Sequence, residues 1–195
     1  MLGKNVNYEK IYTEGITKIT ADDFVYAKAL GYSIKLLAMS RETESGAMAM
    51  VAPFMIGGEN PLCMVNDVFN AILVRGNMLG DSMYYGKGAG KLPTASAVVA
   101  DIIECARNQG RFLPCFWEQE DAVLTDISEL KRSFFVRADA SEKEALEAAF
   151  PGGTVVALES RSDIGYVTLP VKEKDFAAKY AELGDKVSGR IRIEA

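Results

Sequence analysis

The order of secondary-structure signals between residues 131 and 195 leaves few topologies open. FFVRADA (134–140) is strand-like. SEKEALEAAF (141–150) is helical, with Ser141 as its cap and Glu144 at the third helical position. Pro151-Gly152-Gly153 makes a turn, TVVALES and GYVTLPV are strands, EKDFAAKYAEL is a helix, and VSGRIRIEA is a last strand. The order βαββαβ, in roughly 64 residues, is that of the ferredoxin-like split βαβ unit. A domain boundary near residue 130 follows, dividing the chain into 1–130 and 131–195.

The first part predicts an α+β arrangement built on a mixed sheet. Residues 20–31 read as a helix: Thr20 and Asp23 form a capping box, Phe24, Ala27 and Leu30 share a face, and Gly31 ends it. SIKLLAM (33–39) and AMAMVAPFMI (47–56) are strands joined by the polar turn SRETESG. NAILVRGN (70–77) and DSMYYG (81–86) pair through turn signals at Gly76-Asn77 and Gly80. A helix is expected from Thr94, its N-cap, to Asn108, with Ala95, Val98, Val99, Ile102, Ile103 and Ala106 on one face. Residues 111–131, with Pro114, Trp117 and the acidic run Glu118-Gln119-Glu120-Asp121, read as a connector.

Between that second strand pair and the helix lies YYGKGAGKLPTASAVV, with glycines at 86, 88 and 90. The dinucleotide fingerprint G-x-G-x-x-G fails here, because its third position falls on Lys91 or Pro93. The P-loop pattern fails as well, with Tyr85 in place of its first glycine and Leu92 in place of Ser or Thr. The physics of a glycine loop meeting a helix N-terminus stays in force. Bare Cα atoms admit a ligand to the backbone, and free N–H groups favour an electron-rich partner. A strand-to-helix turn needing positive φ at two glycines accounts for the same residues without a ligand.

Composition narrows the chemistry. The 195-residue chain carries a net charge of −5, which argues against nucleic-acid or membrane-surface partners. It has no histidine, which removes imidazole bases and His-ligated metals, and no metal site is expected. Cys63, Cys105 and Cys115 lack metal-ligand spacing and read as free buried thiols in a reducing compartment. MLGKNVNYEK is not a signal peptide, no apolar run would span a membrane, and a cytoplasmic location is expected.

IYTEGITKIT (11–20), AKALGYSIKLLA (27–38), NPLCMVNDVFNAILVRG (60–76) and MYYGKGAGKLPTASAVVADII (83–103) together resemble homoserine dehydrogenase, in that family's order and spacing over residues 1–130. The resemblance implies NAD(P)-dependent interconversion of L-homoserine and L-aspartate 4-semialdehyde, in threonine and methionine biosynthesis. The family's Rossmann domain, its substrate-binding acids and its proton-handling lysine have no counterpart here. Catalytic residues are therefore expected upstream of Met1, and the chain alone is expected to be inactive and to bind no cofactor. By resemblance the glycine loop closes over the nicotinamide, with Gly88 as a cofactor contact, joined by Gly86, Ala89 and Gly90. Pro93 and Thr94 would start the helix behind it.

This sequence departs from the family at three places: it lacks the histidine of a His-Pro pair in VAPFMI, has NPL for HPL, and has Asp67 where glycine is frequent. These read as surface or packing variation. Residues 131–195 resemble an ACT regulatory domain, but ADASEKE (138–144) replaces the usual ligand-binding loop. Threonine sensing and a shortened module serving dimer contacts both stay open, the second preferred. A homodimer through sheet edges is expected.

Of the remaining residues, Lys87 and Lys91 read as solvated rather than phosphate-binding, and Glu14 and Lys18 as an i,i+4 surface pair. Asp22-Asp23 reads as helix-start charge, and Met48, Met50 and Met55 as core. One of Tyr84 and Tyr85 is expected in the core. Two other functions stay in view. One is a non-catalytic amino-acid-sensing or assembly subunit. The other is a self-sufficient enzyme using Glu14 or the loop lysines.

Overall fold

A computed structural model describes residues 3–43, 46–112 and 118–194. Along the chain run β1 (Tyr12–Thr13), α1 (Ala21–Ala29), β2 (Tyr32–Thr43), β3 (Gly46–Gly57), β4 (Phe69–Gly76), β5 (Gly80–Lys87) and α2 (Lys91–Arg107). There follow β6 (Lys131–Arg132), β7 (Phe134–Asp139), α3 (Lys143–Ala149), β8 (Thr154–Ala157), β9 (Asp163–Val167), β10 (Val171–Lys172), α4 (Glu173–Leu183) and β11 (Val187–Glu194). Contacts gather Met1–Gly58 with Glu118–Ala195 into one compact unit and Glu59–Trp117 into another. Cys115, Pro114 and Trp117 lie outside the described residues, as do Met1, Leu2 and the turn residues Glu44 and Ser45.

The first unit is built on a mixed sheet in the order β1-β3-β11-β7-β9-β8, with β2 also paired to β3. Within it, β11-β7-β9-β8 are antiparallel to one another, the order and directions of a split βαβ unit. β2 runs antiparallel along the whole of one edge of β3. The other edge is shared, with β1 pairing at Met50 and Val51 and β11 at Phe54–Ile56, both parallel. Strands on either side of residue 130 thus belong to one sheet.

Period-2 alternation on β7 sends side chains to two cores. Phe134, Val136 and Ala138 pack with Leu146 and Phe150 from the α3 region and with Phe176 and Leu183 of α4, and Phe134 stacks on Phe176 at 3.6 Å. On the opposite face Phe135 joins Tyr26 and Ala27 of α1, Met55, Ile191 and Ile193. Helix α1 therefore buries Asp23, Tyr26 and Ala27, whereas Phe24, expected on the buried face, is 54% exposed. Met48, Met50 and Met55 are buried as expected.

Several local readings need correction. SRET belongs to β2, which continues to Thr43 because its backbone stays paired to Gly46. Ser141 does not cap a helix. Asp139 does so, its Oδ1 accepting from Ser141 N–H at 2.9 Å, and a 3-10 turn intervenes before α3. Ala52-Pro53, where the resemblance implies a His-Pro pair, is buried on β3, so of surface and packing variation the structure favours packing there. At NPL, Asn60 Oδ1 accepts from Leu62 N–H at 3.0 Å and caps a 3-10 turn.

The second unit contains the β4–β5 hairpin, in register from Phe69↔Lys87 to Gly76↔Gly80, and helix α2. Phe69 and Tyr85 stack at 4.7 Å across the hairpin. Tyr84 is 71% exposed and Tyr85 49%, so neither takes the expected core position.

Candidate functional site

The glycine loop is a short extension of the hairpin that turns directly into α2. Beyond Lys87 the ladder gains one bond, from Gly88 N–H to the Val68 carbonyl at 3.2 Å. Gly90 follows with φ 117° and is the N-cap of α2. The helix thus begins at Lys91, three residues before the expected start at Thr94. Pro93 fits inside the first turn, where no intrahelical bond needs its missing N–H. The first i→i−4 bond runs from Thr94 N–H to the Gly90 carbonyl at 3.1 Å. The amides of Lys91 and Leu92 precede it and point along the helix toward the loop.

Only one of the three glycines has positive φ, so a turn demanding it at two does not account for the loop. A Cβ at Gly86 would meet nothing within 4 Å, leaving open space over the backbone. A Cβ at Gly88 would strike the Asn70 side chain. Gly86, Gly88, Ala89 and Gly90, the four residues singled out in the sequence, form one continuous exposed strip. Lys87 and Lys91 are exposed, and the Lys87 ammonium lies 5.7 Å from the Phe69 ring centroid. Asp67, upstream of β4, has φ 56°, a left-handed conformation that glycine adopts at less cost. On α2, Val98, Val99, Ile102 and Ile103 are 45–61% exposed.

The first unit holds two charge clusters. In one, Arg192 of β11 bonds Glu173 at the start of α4, Glu14 after β1, and the Tyr12 hydroxyl. Arg190 reaches Glu14 at 3.2 Å. Arg132 lies 3.2 Å from both Glu173 and Glu194, its Nε facing Glu173 without hydrogen-bond alignment. Burial pushes the Glu14 carboxyl up, but bonding from Arg192 and the charges of both arginines outweigh it and hold it below its usual range. Glu14 therefore does not pair with Lys18: the chain there is not helical, so i,i+4 spacing does not bring the two together. A cleft of about 260 Å³ opens beside this cluster, lined by Glu14, Lys18, Tyr180, Ser188, Gly189 and Arg190.

In the other cluster, buried Asp23 accepts from Arg137 Nε at 3.1 Å and, through Oδ2, from the Thr20 N–H and hydroxyl. Asp22 and Asp163 share Arg161 and Arg137. Hydrogen bonding from Arg161 brings the Asp163 carboxyl down to about 2. Burial, with Asp163 alongside, pushes the Tyr26 phenol up to about 12. Asp22-Asp23 is thus an anchor between α1 and β7, beyond the helix-start charge read from sequence. Asn70 and Arg192 also escaped sequence reading, because their partners are set by strand register and by pairing across most of the chain.

Among the described residues, no helix is long and apolar enough to cross a membrane. The family model for homoserine dehydrogenase matches residues 1–103. The homoserine dehydrogenase of Pseudomonas aeruginosa is 48% identical over 54% of this chain and 24% of its own length. That of Neisseria gonorrhoeae is 36% identical over 86% of this chain and 39% of its own. The crystal structure of a homoserine dehydrogenase from Thiobacillus denitrificans superposes with a TM-score of 0.77 at 31% identity, covering 96% of this chain and 48% of that one. The chain spans less than half the length of each of these relatives.

Proposed function

Because the chain belongs to the homoserine dehydrogenase family, we propose that it forms part of an enzyme interconverting L-homoserine and L-aspartate 4-semialdehyde with NAD(P). The observation that carries this reading is the exposed glycine strip running into the α2 N-terminus. The open space over Gly86 fits a flat ring, and the unspent amides of Lys91 and Leu92 fit the carbonyl oxygen of its carboxamide. When bound, the nicotinamide supplies the acceptor for hydride leaving the carbinol carbon of homoserine. The main chain of Gly86, Gly88, Ala89 and Gly90 would hold the nicotinamide and exclude water, a positioning role. No group of this chain is assigned to proton transfer, and the 195 residues alone are inactive in this reading.

Residues 1–130 then act as the catalytic and dimerisation portion, and 131–195 as an ACT-like regulatory domain. The β11-β7-β9-β8 order supports the second assignment. Edge strands such as β8 offer a route to a homodimer, which light scattering would test.

Sequencing the source DNA upstream of the Met1 codon tests the main reading. An in-frame extension encoding G-x-G-x-x-G and a segment ending in lysine supports it, and the extended protein then reduces NAD(P) with homoserine. A stop codon and ribosome site directly upstream overturn it. The second reading, an amino-acid-sensing or assembly subunit, draws on the cleft beside Glu14, Lys18 and Arg190, whose mixed charges suit a zwitterion. A rise in Tm with threonine, without nucleotide, supports it.

A further inference from the structure

The three glycines of the loop are glycines for different reasons. Gly90 needs its φ of 117°. Gly86 lies under open space. Gly88 has neither property: a Cβ there would lie 1.9 Å from Asn70 Nδ2, 2.7 Å from Cγ and 3.5 Å from Cβ. The register explains this contact. Asn70 of β4 is directly opposite Gly86, so Gly88 is its diagonal neighbour on the same face. The Asn70 carboxamide makes no hydrogen bond among the described residues, although Asn70 adjoins a loop whose backbone is pinned at Gly88 N–H.

We propose that Asn70 is a positioning residue for the loop: its carboxamide packs on Gly88 and sets the path of Gly86–Gly90 before a ligand arrives. This rests on the reading of the loop as the nicotinamide-facing segment. It also reassigns the requirement for glycine at 88 from the ligand to Asn70, leaving Gly86 as the glycine whose bareness only a ligand uses.

The test is a double-mutant cycle on this chain, followed by NMR of the loop amides. Asn70→Ala and Gly88→Ala should each shift the Gly86, Ala89 and Gly90 amides, and the double variant should shift them no further than either alone. Additive shifts overturn the proposal. Asn70→Ser provides a second variant should Asn70→Ala fold poorly. In the dehydrogenase holoenzyme, Asn70→Ala should raise KM for the dinucleotide about tenfold, leaving KM for homoserine and the Tm unchanged. If Gly86→Val raises that KM and Asn70→Ala does not, the inference fails and the loop reading stands. If neither does, the loop reading itself fails.

Discussion

Arg192 holds Glu173 with two parallel hydrogen bonds, Nε to Oε1 at 2.7 Å and Nη2 to Oε2 at 2.9 Å, with both side chains more than nine-tenths buried. The same guanidinium bonds Glu14 at 2.5 Å. A buried fork of this kind is expensive to break from one side, because the carboxylate left behind stays desolvated. Arg192→Met should therefore destabilise the chain by about 3–5 kcal/mol, and Arg192→Met with Glu173→Leu should recover part of the loss, Glu14 keeping Arg190 as its one ionic partner among the described residues. Urea denaturation of the two variants checks this.

Acid should weaken the fold through Asp163. Its carboxyl titrates at about 2 when folded against an ordinary value of 3.8. The stability it contributes is present above that ordinary value and is lost as pH falls through the folded one. Glu14, also held below its ordinary 4.5, acts in the same direction. The urea midpoint should fall as pH drops below about 4.5, and less steeply in Arg161→Gln, which lacks the strongest partner of Asp163.

Removing the Tyr26 hydroxyl should be felt from α1 to β9. It donates to the Asp163 carbonyl at 2.7 Å and lies 3.0 Å from Asp163 Oδ1. Tyr26→Phe should cost about 1 kcal/mol, read from thermal unfolding, since the ring itself keeps its place against Phe135.

Asp67→Gly should stabilise the second unit. A left-handed aspartate carries strain of about 1–2 kcal/mol, partly offset by the greater freedom of glycine in the unfolded chain. A net gain of about 0.5–1 kcal/mol is expected from differential scanning calorimetry.

Alternation and capping patterns made the split βαβ order legible, because each of its elements announces itself within ten or so residues of sequence. Thr94 resembles a cap, so local pattern starts α2 too late, whereas Gly90, with φ 117°, ends the loop first. Helical spacing pairs Glu14 with Lys18, but its ionic partners are Arg190 and Arg192 on the last strand. Such pairs follow from sheet order, which no local window contains. The glycine strip was legible as a motif, but its internal division of labour was not. Asn70 acts on Gly88 only through the hairpin register.

The sharing of one β3 edge by β1 and β11 has a consequence for synthesis. The second unit is a continuous run, Glu59–Trp117, whose hairpin and helix can form as soon as they clear the ribosome. The first unit joins residues 178 positions apart, Glu14 and Arg192. Half an edge of β3, among the most buried strands in the chain, stays bare until β11 is made. At about 5–20 residues per second that interval is on the order of ten seconds, a window in which a nascent-chain chaperone has an apolar strand to hold.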